Sequence, residues 1–106
     1  MALIYILRIS EDKGKTWHIA NVLKGVSLDY SKDCIMKRIG HSANAIGEVY
    51  KAKDEDVTYM KRINKGATYR ELIEEVITWR AKKCETIVWV PERKMYRLGS
   101  GKYATI

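Results

Sequence analysis

The chain opens on "ALIYILRI", an apolar run of Ile, Leu and Tyr with no polar alternation, which predicts a strand covered on both faces. "SEDKGK" then reads as a polar turn. In "TWHIANVLKGV", Ile19, Val22, Leu23 and Val26 fall at i, i+3, i+4 and i+7, the stripe of an amphipathic helix, with Thr16 to cap it and Gly25 to end it. "SLDYSKD" is a connection from which a further helix starts at Ser31, carries Cys34, Ile35 and Ile39 inward, and stops at Gly40. Ser42 is placed to cap another helix, "ANAIGEVYKAK", with Ile46 and Val49 on its inner side.

The acidic "KDED" (53–56) punctuates the pattern, "VTYMKRI" fits a strand or a helix, and "NKG" is a turn. "TYRELIEEVITWRAKK" is the clearest helix. Thr68 and Glu71 have the spacing of a capping box, and Tyr69, Leu72, Ile73 and Val76 form the inner stripe. Its acids come early and Arg80, Lys82 and Lys83 late, as the helix dipole favours. "ETIVWV", a Pro-Glu-Arg-Lys turn and "MYRLGSGKYATI" read as a β-hairpin, interrupted near Gly99–Gly101. There is no internal repeat. The expected architecture is one α+β domain, 1–106, with three or four helices beside a small antiparallel sheet made by the N-terminal strand and the C-terminal hairpin.

Composition narrows the class without naming a function. Phe is absent, so three Trp and seven Tyr supply the large rings. No apolar run is long enough for a membrane span, and the start lacks the basic segment and cleavage site of a signal peptide. Cys34 and Cys84 sit far apart beside apolar residues, which predicts buried free thiols in a reducing cytoplasm. Too few Cys and His are present at ligand spacing for zinc, and no cofactor is expected.

Charge is more informative. The net charge of +7 is uneven: residues 1–56 carry nine Lys/Arg against eight Asp/Glu, and residues 57–106 eleven against five. From Arg93 onward there are four basic residues and no acid. The C-terminal half is therefore expected to face a polyanion.

Two short helices meeting at Gly40, with Ile35 and Ile39 on one and Ile46 and Val49 on the other, resemble the helix-turn-helix of phage and bacterial DNA-binding proteins. Residues 16–51 also look like the three-helix, Trp-bearing Myb-like variant. The resemblance implies a second helix whose outward face, Ala43, Asn44, Gly47, Glu48 and Lys51, reads bases. Asn pairs bidentately with adenine, Glu accepts from a cytosine amine, and small residues allow close approach. Lys37, Arg38, Ser42, Lys51 and Lys53 would then contact phosphates. The terminal hairpin would act as a wing, with Arg93 and Lys94 at its tip and Arg97, Lys102 and Tyr103 following, reaching a neighbouring groove or the backbone. Trp89 and Tyr96 are either stacking platforms for unpaired bases or core rings.

The expected function is thus a small basic nucleic-acid-binding protein, a sequence-specific DNA-binding regulator of viral or mobile-element type, working in the host cytoplasm on duplex DNA, with a homodimer as one assembly. Two alternatives stand beside it. "IGHSANA" resembles the Gly-His and small residues of small archaeal-virus enzymes that cleave cyclic oligoadenylate, which implies His41 as a general acid. A viral protein that blocks a host protein through its hairpin or a sheet edge is the other. No P-loop, dinucleotide fingerprint, G-x-S-x-G or H-E-x-x-H is present, and the carboxylate clusters read as solvated surface.

Overall fold

A computed structural model describes residues 2–106. The elements run β1 (Leu3–Ser10), β2 (His18–Lys24), α1 (Leu28–Ile39), β3 (Ile46–Lys53), α2 (Asp54–Ile63), α3 (Tyr69–Trp79), β4 (Lys82–Val90), β5 (Met95–Leu98) and β6 (Tyr103–Ala104). The strands form a single antiparallel sheet in the order β2-β1-β3-β4-β5-β6. The fold is α+β, and the N-terminal strand shares its sheet with the C-terminal hairpin, separated from it by β3. Among the described residues no helix is long and apolar enough to cross a membrane.

The unbroken apolar run of β1 has a direct cause. Leu7 and Ile9 point to one face, where Ile35, Met36 and Ile39 of α1 pack with Val49 and Ile87. Ile4 and Ile6 point to the other, where Met60 of α2 and Leu72, Ile73 and Val76 of α3 pack with Tyr50 and Ala52. A strand buried on both faces has no polar side to alternate with. The second core, however, contains no residue from β4, β5 or β6. That half of the sheet is covered by α1 alone.

Several expected elements change identity. Residues 18–24 are an edge strand, not a helix, and the helical spacing has a specific origin. A β-bulge breaks the register between Leu7/Asn21 and Arg8/Ile19, leaving Ala20 without a cross-strand partner. The extra residue shifts the alternation, so Ile19 and Val22, three apart, both pack toward α2 and α3, while Ala20 and Leu23 pack toward α1. Residues 46–53 are the central strand β3, hydrogen-bonded to β1 on one side and β4 on the other. Ile46 and Val49 therefore face opposite layers, and the two-helix motif centred on Gly40 does not form. Two long ladders, with β-formers Val49 and Tyr50, override the helical spacing.

Helix boundaries move as well. α1 starts earlier than Ser31, because Ser27 caps it by accepting from the Tyr30 N–H at 3.1 Å. "KDED" does not interrupt the chain but supplies the acidic first turn of α2, where Asp56 accepts from the Lys53 N–H at 3.0 Å. The Thr68–Glu71 capping box forms as expected. Tyr69 does not join the inner stripe and is 56% exposed. Lys82 and Lys83 belong to β4, and Cys34 and Cys84 are half-buried and unpaired.

Candidate functional site

A cavity of about 630 Å³ lies where the C-terminal end of α1 meets the β4–β5 hairpin. Three backbone choices build it. α1 ends at Gly40, whose φ of +56° turns the chain sharply while its N–H still bonds Met36 O. The chain then presents His41. From the sheet, Trp89 on β4 and Tyr96 on β5 are cross-strand partners on the same face. The turn between these strands adds Pro91 and Lys94, the latter in the left-handed region at φ +53°.

The rings interlock. His41 lies flat on Trp89, with centroids 4.1 Å apart and planes 15° from parallel. Trp89 meets Tyr96 edge-on at 4.9 Å. The Tyr96 hydroxyl is a buried donor to the end of α1, 2.8 Å from Gly40 O and 3.0 Å from Met36 O. Burial raises its pKa, which keeps the hydroxyl protonated and donating. Tyr96 thus fixes the helix end from which His41 projects. His41 itself is exposed, and Lys94, Thr105 and Ile106 complete the lining of the cavity.

This arrangement can do two things. An aromatic shelf beside a cation suits a planar ring attached to an anion, as in a nucleotide. An exposed imidazole at the mouth can also pass a proton to a bound group.

The residues expected to read DNA are dispersed. Asn44 and Ser42 are exposed in the loop after α1, where the Ser42 hydroxyl accepts from the Asn44 N–H at 3.3 Å. Gly47 is buried against α1, and a Cβ there would overlap Ile35. Glu48 is buried on the opposite face of β3. It accepts from Arg8 Nε at 2.6 Å and from the Tyr50 hydroxyl at 3.0 Å, with Lys83 Nζ 3.5 Å away. Burial, then the charge of Glu48, raises the Tyr50 pKa against the opposing pull of Arg8, so Tyr50 also remains a donor. Neither Gly47 nor Glu48 can reach a base. Lys51 is exposed on β3 and Lys53 is exposed at the start of α2.

Of the expected phosphate contacts, Lys37 and Arg38 are exposed on the last turn of α1 and Lys94 lines the cavity. The other hairpin cations go elsewhere. Arg93 lies 4.5 Å over the Tyr103 ring, and Arg97 stands between Val88 and Tyr103 in the cross-strand row on the uncovered face. Lys102 is exposed in the β5–β6 turn. The hairpin therefore divides its cations between the two faces of the sheet.

The His41–Trp89 stack was not legible in the sequence, since it joins positions on different elements. The available signal was the alternation in "IVWV" and "MYRL", which sets Trp89 and Tyr96 on one face. No family model matches the chain, and no curated protein or solved structure matches it either.

Proposed function

We propose that the protein is a small basic nucleic-acid-binding protein that holds an unpaired base in the cleft between α1 and the β4–β5 hairpin. The observation that carries this reading is the flat His41–Trp89 stack in a cavity that Lys94 also lines. Lys37 and Arg38 of the adjoining helix turn extend the positive surface along which a phosphate backbone would run. The net charge of +7 points the same way. With β3 in place of a reading helix, single-stranded nucleic acid is preferred over the duplex major groove, and regulation by binding would act through unpaired segments.

A salt series with an oligothymidylate, its RNA counterpart and a duplex tests this. Single strands should bind more tightly than duplex. Trp89→Ala should cost about 1–3 kcal/mol of single-strand affinity through lost stacking. Lys94→Gln should lower the salt slope by about one phosphate contact. Unchanged affinity in both variants would remove the cleft from the interface.

His41 at the mouth of the same cleft favours a second reading, cleavage of cyclic oligoadenylate. A ribose 2′-hydroxyl would attack the adjacent phosphorus, releasing its proton to water. The P–O5′ bond would break as His41 donates a proton to the departing oxygen, leaving a 2′,3′-cyclic phosphate. Linear products that fall in His41→Ala far more than binding of the uncleaved ring falls would select this reading over simple binding.

A further inference from the structure

On the outer side of the helical layer, α2 and α3 end together around a groove of about 380 Å³. Its floor is Met60, and Ile63 and Trp79 form apolar walls that are 57% and 70% exposed. Tyr59 lies within it, with the Arg80 guanidinium 4.6 Å over its ring and that of Arg62 at 5.8 Å. Neither arginine has a carboxylate within salt-bridge distance among the described residues. Glu75 is the one acid among the residues lining the groove.

We infer that this groove docks an acidic segment of another protein, one apolar side chain of which inserts between Ile63 and Trp79. Compensation of the helix dipole accounts for Lys61 and Arg62 in the last turn of α2. It gives no reason for a tryptophan left in water beside them. Trp, Tyr and Arg around a desolvated pocket are the residues that dominate protein interfaces. The arginines are held over a ring rather than neutralised by an internal acid, so the complementary charge must come from the partner. A second copy of this chain would bring the same positive rim and be repelled. The site is concave and takes one anchor, whereas a membrane surface calls for a continuous apolar face flanked by cations. It lies on the side of the sheet away from the His41 cleft, so this inference stands independently of the nucleic-acid reading.

The probe is a short helical peptide with two leucines one turn apart among Glu and Asp residues, paired with a twin carrying Lys for every acid. Binding is read by titration calorimetry and by the blue shift of Trp79 emission, in a background with Trp17 and Trp89 changed to Phe. The acidic peptide should bind and its twin should not. Trp79→Ala should lower affinity by about tenfold or more without changing the melting temperature, because that ring is mostly in solvent. Arg80→Glu should shift preference toward the basic twin. Absence of peptide binding, equal binding of the two peptides, or undiminished binding by Trp79→Ala would overturn the proposal. So would Trp79-dependent binding to phosphatidylglycerol vesicles or Trp79-dependent dimers in sedimentation, with no response to the peptide.

Discussion

The β2-β1-β3 half of the sheet is enclosed by helices on both faces, while the β4-β5-β6 half has α1 on one face and solvent on the other. Similar residue types meet different fates in the two halves. In the enclosed half the charge of Glu48 is engaged by Arg8, Tyr50 and Lys83, and Gly47 exists to let Ile35 approach. In the open half Arg97 stays in solvent, Lys94 stands at a cavity, and Trp89 offers a partly open ring to His41. Residues of binding chemistry are consumed by folding where two layers press on the sheet, and are left for ligands where only one does.

If the halves divide their labour in this way, substitutions in the enclosed half should act on stability and those in the open half on binding. Ile35→Ala, at the fully buried contact between α1 and β3, should have the largest effect, about 2–5 kcal/mol of stability in denaturant titration. A loss below about 1 kcal/mol, roughly the worth of one buried methylene, would show that α1 is not firmly seated.

Glu48→Ala comes next, at about 1–3 kcal/mol, because it leaves Arg8 and the Tyr50 hydroxyl without their shared acceptor. Arg8 remains partly in solvent, which keeps the cost below that of a fully buried pair. Oligonucleotide affinity of the folded variant should be unchanged. A selective binding defect would return Glu48 to the interface.

Tyr96→Phe should cost about 0.5–1.5 kcal/mol near neutral pH by removing the bond to the end of α1. Its pH dependence is distinctive. The folded-state pKa is raised by burial, so the contribution of Tyr96 is complete below the ordinary tyrosine pKa and declines as pH rises through it. Melts of wild type and variant should therefore converge toward alkaline pH. Curves that stay parallel would show that the hydroxyl is not held from solvent.

Asn44→Ala is expected to have the smallest effect, within about 0.5 kcal/mol in stability, since its side chain is exposed in a loop. Competition binding should detect no loss of preference among sequences. A selective loss would mean that this loop reads bases without a helix to carry it.

What the sequence disclosed depended on whether the deciding interaction was local. The Thr68–Glu71 box, the stripe at Leu72, Ile73 and Val76, and the C-terminal hairpin each rest on neighbours a few residues apart, and each was legible. The spacing of Ile19, Val22 and Leu23 misled because a bulge and a helix both place residues three apart on one side. β3 misled for a different reason. Its identity is decided by β1 and β4, which hydrogen-bond to its edges from far along the chain. The candidate site shared that fate. Lys94 and the rings of Trp89 and Tyr96 were visible as residues, but the cleft exists only once α1 is docked against the hairpin.

The placement of β1 inside the sheet bears on the order in which the chain can be made and folded. Of these strands β1 is made before the others and can pair with β2 as soon as it follows, but its other edge waits for β3, across the whole of α1. By the time residue 53 has emerged, three strands and α1 can assemble much of one core, which Ile87 and Tyr96 complete later. The opposite apolar face, Ile4, Ile6, Tyr50 and Ala52, stays bare until α2 and α3 follow. A nascent chain stalled between Lys53 and Trp79 would expose that face to other chains, which makes this interval the one in which synthesis is most vulnerable to aggregation.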